Sequence, residues 1–94
     1  VVSVFHQIHC LYSILSDYLD LRSGKQLGGE KEYSLQCFNY LRQSLQCCGD
    51  TALEGSDIYA AAEGRNGTLG IGSTHVCRDY EAILHFVESS PQLL

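Results

Sequence analysis

The sequence has few of the residues on which several large classes of protein depend. It contains no methionine, one proline and only six lysine and arginine residues, and eleven acidic side chains set the formal charge at −5. A surface of that charge repels a nucleic acid backbone, whose binding requires clustered basic residues. It disfavours an acidic membrane surface for the same reason. No run of 18 apolar residues occurs, so the sequence predicts no membrane span.

The cysteines are numerous but never have the C-x-x-C spacing, which argues against a zinc ribbon or a thioredoxin-like centre. Five cysteines in so short a chain suit either a disulfide framework or a thiolate metal site. The triplet that begins at Asn66 is an N-glycosylation acceptor in a glycine-rich stretch. Together these features indicate the lumen of the secretory pathway or a secreted protein. We expect the chain to be part of a longer, secreted or membrane-anchored precursor.

Three segments have helical periodicity, at residues 1–21, 30–47 and 75–89. Between the second and third lies a long glycine-rich loop at residues 49–72. In the first segment, apolar residues recur at spacings of three and four, the pattern of a core-facing stripe: Phe5, Ile8, Leu11, Tyr12, Leu15, Tyr18 and Leu19. The pattern predicts one mainly α domain over residues 1–94, with an antiparallel two-helix hairpin, a third C-terminal helix and disulfide links.

Two histidines and a cysteine lie at positions i, i+3 and i+4 of the first predicted helix. Each residue advances a helix by about 100°, so His6, His9 and Cys10 point from one face. Imidazole and thiolate ligands suit copper, zinc or iron, and a mononuclear site requires at least three protein ligands. His75 is the best third candidate, and Cys10 is a fourth if it is not bridged. The alternative is that the pair is only part of a polar helix face. His85 is predicted to be a surface or core-edge residue.

The first two predicted helices contain similar segments. Residues 6–15 align with residues 33–42, and a cysteine occupies the same place in each. Tyr33 and Gln36 stand where the first segment has histidine. A chance match between two amphipathic helices explains this similarity as well as a true internal repeat does.

Three blocks in order resemble the UstYa-like family of fungal secondary-metabolite proteins, which occurs in gene clusters for mycotoxins and modified peptides. The first block is the H-x-x-H-C motif at residues 6–10, the second is LRQSLQCCGDTAL at residues 41–53, and the third is HVCRD at residues 75–79. The similarity covers residues 5–87. It departs from the family at the second H-x-x-H-C motif, which keeps Cys37 but lacks both histidines.

The resemblance implies a tailoring enzyme that oxidises or oxidatively cyclises a peptide or small molecule at a histidine-based metal site. Copper is the expected cofactor, with iron, zinc or no metal as alternatives. The expected metal ligands are His6, His9 and His75. The candidate catalytic residues are Tyr33, Gln36, Arg42 and Asp50.

Two other functions stay open at this point. One is a redox-neutral cyclase or isomerase that uses the same pocket without metal, in which the hydroxyl of Tyr33 and the amide of Gln36 orient a substrate. The other is a non-catalytic partner subunit, or a disulfide-stabilised interaction domain. A homodimer, or a heterodimer with another family member, is an expected assembly in either case.

The cysteines admit two candidate bridges. Cys10 and Cys37 occupy equivalent places on neighbouring helices, and Cys47 and Cys77 lie on either side of the long loop. Spacing alone does not determine the connectivity. Cys48 is the odd thiol by comparison with the family, whose matching block has a single cysteine.

The charged residues of the matching blocks suggest an ion pair. Arg42 or Arg78 with Asp50 would form a buried pair that orients the loop. Contact of the same residues with the carboxylate or amine of a substrate is the alternative.

Overall fold

The structure, a computed structural model, describes residues 1–26, 31–55, 62–64 and 67–93. Within those ranges the fold is mainly helical and has no strand. The described elements are α1 (Ser3–Arg22), α2 (Lys31–Cys48), α3 (Tyr80–Glu88) and a short 3-10 helix (Pro91–Leu93). The predicted fold class is therefore confirmed. The predicted glycosylation site at Asn66 lies outside the described residues.

The chain divides into two compact units. The first comprises Val1–Gly49 together with Tyr80–Leu94, and the second comprises Asp50–Asp79. All three described helices belong to the first unit. The prediction of a single domain over residues 1–94 stays a prediction.

Helices α1 and α2 run antiparallel and are joined by a disulfide between Cys10 and Cys37. The two cysteines are 1% and 2% exposed, and their Cα atoms lie 5.0 Å apart. Helix axes usually lie about 8–10 Å apart, so this close approach favours small side chains around the bridge. Serine is such a small residue, and Ser13 and Ser34 lie one turn from the bridged cysteines. Both are half-buried. The hydroxyl of Ser34 also donates a hydrogen bond across the helices to the carboxylate of Asp17.

The face of α1 that packs on α2 is not the predicted apolar stripe. Phe5 and Ile8 are half-buried, but the rest of the stripe is exposed in the described chain. The exposed members are Leu11, Tyr12, Leu15, Tyr18 and Leu19. The prediction of a buried stripe is wrong because the cross-link turns the cysteine face of α1 inward.

Two glycines end the long helices. Gly24 follows the last turn of α1 with φ of 78°, and its N–H donates to the carbonyl of Leu21 at 3.1 Å. Gly49 follows α2 with φ of 38°, and its N–H donates to the carbonyl of Leu45 at 2.9 Å. Positive φ values are costly for residues with a Cβ atom, which explains glycine at both positions.

Helix α3 packs on the N-terminal part of the chain. Val87 is 0% exposed, the ring centroids of Phe5 and Tyr80 lie 6.0 Å apart, and the N–H of Val2 donates to the carbonyl of Leu93 at 3.1 Å. None of the described helices has the length and apolar character needed to cross a membrane.

The third helix was predicted to begin at His75, but it begins at Tyr80. Residues 75–79 are not helical, and they belong to the second compact unit. The prediction is wrong at this boundary because the imidazole of His75 pairs with Asp50 inside that unit. Such a long-range contact has no counterpart in the local periodicity on which the prediction rests.

Candidate functional site

A cleft of about 180 Å³ lies between α1 and α2. Its lining consists of His6, Cys10, Tyr33, Gln36, Cys37 and Tyr40. The buried disulfide therefore forms part of the cleft wall, and every other lining residue lies within one turn of a bridged cysteine in the sequence. The structure thus places one histidine of the first motif with both residues that replace histidine in the second.

The imidazole of His6 stacks on the ring of Tyr40. Their centroids lie 4.3 Å apart with an interplanar angle of 27°. The hydroxyl of Tyr40 reaches back to the carbonyl of Ser3 at 3.5 Å, a long hydrogen bond. Tyr40 was not among the predicted site residues. Its position three residues after Cys37, on the face that carries the cysteine, was the available signal.

His9 contacts the other tyrosine of α2. Its ring meets that of Tyr33 edge-on, with centroids 6.4 Å apart and an interplanar angle of 64°. Each histidine of α1 therefore packs on a tyrosine of α2, and such contacts restrict the rotation of both rings.

His6 and His9 lie one turn apart on α1, and both are exposed. They fit two ligands of a copper, zinc or iron site, because neutral imidazole nitrogen suits all three metals. The bridge removes Cys10 as a thiolate ligand. In the part of the chain that the structure describes, no group of three or more His, Cys, Asp or Glu side chains could hold a metal ion. The prediction that His75 joins the pair stays a prediction.

In the second compact unit, Asp50 pairs with His75. Asp50 Oδ2 lies 2.5 Å from Nδ1 of His75, and its Oδ1 accepts the backbone N–H of Ala52 at 2.9 Å. The hydrogen bond from Ala52 and then that from His75 lower the pKa of Asp50 from its ordinary value. The side chain of Asp50 is 61% exposed, so the prediction of a buried pair with Arg42 or Arg78 is wrong.

Arg42 uses partners on its own helix. Its guanidinium donates to the side-chain oxygens of Asn39 at 2.8 and 3.2 Å and of Gln46 at 2.8 Å. Residues three and four apart are neighbours on a helix surface, so these contacts form without any tertiary constraint. The arrangement leaves Arg42 on the exposed face of α2.

The structure confirms one of the two predicted bridges. Cys10 and Cys37 are joined, whereas Cys47, Cys48 and Cys77 are free and exposed thiols. Cys47 and Cys77 belong to different compact units, and the predicted bridge between them stays a prediction. His85, predicted at the surface or core edge, is exposed and lies 3.7 Å from the carboxylate of Glu88.

These features define a small helical domain whose disulfide-lined cleft has imidazole on one wall and tyrosine and amide groups on the other. Over residues 1–90 the sequence matches the family described as mycotoxin biosynthesis protein UstYa. The chain belongs to this family.

Three curated relatives illustrate the similarity. Oxidase ustYb of Aspergillus flavus is 38% identical over 111 residues, which cover 94% of this chain and 42% of that protein. The UstYa family oxidase phomYb of Diaporthe leptostromiformis is 43% identical over 86 residues, which cover 92% of this chain and 33% of that protein. Oxidase ustYa of Aspergillus flavus is 34% identical over 90 residues, which cover 96% of this chain and 41% of that protein. The chain thus spans less than half the length of these relatives. No solved structure matches it.

Proposed function

We propose that this chain is the histidine-bearing domain of a tailoring oxidase in fungal secondary metabolism, which acts on a peptide or small molecule. Relatives that cover nearly all of this chain are named oxidases. The observation that carries the proposal is the cleft beside the disulfide, where His6 faces Tyr33 and Gln36.

His6 and His9 would provide two imidazole ligands to copper. Copper bound there would pass electrons from the substrate to dioxygen, the proposed terminal oxidant, so that the two hydrogen atoms lost by the substrate would appear in hydrogen peroxide. The donor set is nitrogen, because the bridge takes up the only cysteine in the cleft wall of α1. Stacking on Tyr40 restricts the ring of His6 before any ligand arrives, which lowers the entropic cost of binding.

The cleft would hold one part of a larger substrate. Pockets that enclose a drug-sized molecule have volumes of roughly 300–1,000 Å³, whereas this cleft has a volume of about 180 Å³. That space suits a single ring or side chain. Tyr33 and Gln36 would donate and accept hydrogen bonds there, and the ring of Tyr40 would supply an apolar wall. The buried disulfide supports an oxidising compartment, and we propose that the reaction takes place in the secretory pathway.

Copper binding tests the proposal. The chain, with its three free thiols alkylated so that they do not compete, is dialysed against Cu²⁺ and its copper content is measured. We expect stoichiometric copper in the unchanged chain and a loss in H6A and H9A. The matched control H85A removes an exposed histidine elsewhere and should retain copper. An unchanged chain that binds no copper, or equal losses in all three variants, would contradict the proposed metal site.

A redox-neutral cyclase is the second candidate, and the same cleft favours it. Tyr33 and Gln36 place a hydroxyl and an amide beside His6, which suits orientation and proton transfer without electron transfer. Product mass separates the two functions in the producing organism. Oxidative cyclisation yields a product two hydrogen atoms lighter than its precursor, whereas redox-neutral cyclisation leaves the mass unchanged. Unaltered turnover in both Y33F and Q36A would exclude a catalytic role for the two residues.

A further inference from the structure

The face of α1 that points away from α2 is a stripe of exposed apolar side chains. Its members are between 47% and 67% exposed: Leu11, Tyr12, Leu15, Tyr18 and Leu19. At about 100° per residue they fall within a third of the helix surface, on the side opposite the buried Cys10. The one charged residue between positions 11 and 19 is Asp17, which faces α2 and accepts a hydrogen bond from Ser34. We call this uncharged surface the outer stripe.

The outer stripe is large enough to form the centre of a protein interface. Because an aromatic side chain buries roughly 150–250 Å², five large side chains that are about half exposed or more offer on the order of 500 Å². A standard interface buries about 800 Å² on each partner, with an apolar centre and a polar rim. The stripe therefore supplies most of the area that a stable dimer requires from each copy.

The order of residues in the outer stripe is symmetric about Leu15. Tyrosine lies three residues before it and three after it, at Tyr12 and Tyr18, and leucine lies four before and four after, at Leu11 and Leu19. When two copies of a helix pack antiparallel about a two-fold axis, each residue before the axis faces the residue equally far after the axis on the other copy. An axis beside Leu15 therefore sets leucine against leucine and tyrosine against tyrosine. Since a two-fold interface must be self-complementary, this order fits a second copy of the chain.

The charges of α1 argue against a membrane as the occupant of the outer stripe. Helices that lie in a membrane surface carry lysine and arginine on the polar face, which attract anionic lipids. Helix α1 has one such residue, Arg22, against Asp17 and Asp20, and the whole chain has a formal charge of −5. An anionic bilayer would repel this surface.

We propose that a second copy of this chain covers the outer stripe, in a two-fold symmetric dimer whose axis passes beside Leu15. At the axis, Leu15 of each copy packs on its counterpart, and Leu11 of each copy packs on Leu19 of the other. The tyrosines meet at the edges of the stripe, where their hydroxyls reach water. The cleft is lined by His6 and Cys10 on another face of α1, so each copy keeps its own cleft.

Sedimentation equilibrium of the thiol-alkylated chain is the first test. Alkylation of the three exposed free thiols prevents covalent dimers between them. We expect the mass of two chains at high micromolar concentration. In L15E we expect dimerisation to weaken by about a hundredfold or more, because two carboxylates meet at the axis. The matched control L35E places the same charge at an exposed leucine of α2 and should leave dimerisation unchanged. Far-UV circular dichroism checks that both variants keep their helices.

A mixture of L15E and L15K tests the position of the axis. Each variant alone sets like charges against one another, so each should be monomeric. In the mixture opposite charges meet at the axis, and we expect the mass of two chains to return. The matched mixture of L11E and L11K should stay monomeric, because Leu11 faces Leu19 and the opposite charges do not meet.

Cross-linking gives a measure that requires no weakened variant. In a chain whose free cysteines Cys47, Cys48 and Cys77 are replaced by serine, L15C should oxidise to a covalent dimer. The physical reason is that residues facing each other at the axis of two packed helices lie within the reach of a disulfide, about 7 Å between Cα atoms. S16C, at an exposed position on the flank of the stripe, is the matched control and should stay monomeric.

A monomeric unchanged chain would overturn the proposal. The stripe would then be covered by lipid, detected as binding to phosphatidylcholine vesicles that L15E abolishes, or by another part of a longer protein. A dimer that L15E leaves intact would place the contact elsewhere and refute the proposal as well. Failure of the mixed L15E and L15K chains to associate, or equal cross-linking of L15C and S16C, would refute an axis beside Leu15.

Discussion

The two long helices carry equivalent cysteines in different surroundings. Helix α1 places two histidines in the turn before its cysteine, whereas α2 places Tyr33 and Gln36 at the same positions. The cysteines nevertheless form a buried bridge, and residues from both turns line one cleft. The cross-link and the imidazoles are therefore separable parts of the motif. The cross-link holds the helices together, whereas the imidazoles would determine the chemistry of the cleft under the proposed function.

The two helices contribute different side chains to the contacts around the cleft. The rings of His6 and His9 pack on tyrosines of α2, so the tyrosine-bearing helix supports the histidine-bearing one. The cleft consequently has two unlike walls. Under the proposed function, α1 would provide the metal ligands and α2 would contact the substrate.

Removal of the bridge should have the largest effect. The bridged cysteines are 27 residues apart, and chain-entropy estimates for a loop of this length give about 3–4 kcal/mol. Because the described core contains few buried side chains, we expect C10S to be largely unfolded in urea titrations at room temperature. C48S, which replaces an exposed free thiol, should change the free energy of unfolding by less than about 0.5 kcal/mol. Equal stability of the two variants would show that the bridge contributes nothing to folding.

Restoring histidine to α2 should make the two helices alike. In Y33H/Q36H we expect the affinity for Cu²⁺ to rise by about tenfold or more, since each factor of ten corresponds to about 1.4 kcal/mol. The physical reason is that both positions line the cleft with His6. The matched control is L35H/F38H, which adds two histidines at the same spacing on α2 at exposed positions that do not line the cleft. If the control gained as much affinity, the cleft would have no special role in copper binding.

Removal of the hydrogen bond between α1 and α2 should lower the free energy of unfolding by a moderate amount. S34A removes the donor to the half-buried carboxylate of Asp17, and we expect a loss of about 1 kcal/mol in the free energy of unfolding. S44A is the matched control, because that hydroxyl donates to a carbonyl of its own helix, that of Tyr40. We expect little change in the free energy of unfolding of S44A. Chemical denaturation measures both, and a smaller loss in S34A than in S44A would contradict the importance of this contact.

The stacking of His6 on Tyr40 should contribute the least to the free energy of unfolding. A double-mutant cycle with H6A and Y40L should give a coupling energy of about 0.5–1 kcal/mol in unfolding experiments. Y40F keeps the ring and loses only a long hydrogen bond, so it should behave like the unchanged chain. The same cycle with Y12L, an exposed tyrosine of α1, serves as the control and should show no coupling. Zero coupling for Tyr40 would remove its role in restraining His6.

Much of the helical hairpin is predictable from local signals. Periodicity placed α1 and α2 within two residues of their observed ends. The bridge between Cys10 and Cys37 was one of two candidates, suggested by their equivalent positions in two similar segments, and the structure confirms it. Local signals placed the start of α3 at His75, five residues too early. His75 instead contacts Asp50 at the other end of its unit, and that contact outweighs helical propensity.

The sequence by itself determined the helices, their ends, the histidine spacing and the equivalent cysteines, because each depends on residues within a turn or two of one another. Only the tertiary structure decided that the cysteine face of α1 is buried in place of its apolar stripe. It also decided that Tyr40 restrains His6, and that Asp50 pairs with an imidazole in place of a guanidinium. These contacts depend on the distance and rotation between elements, which the cross-link and long-range hydrogen bonds fix and local periodicity does not encode.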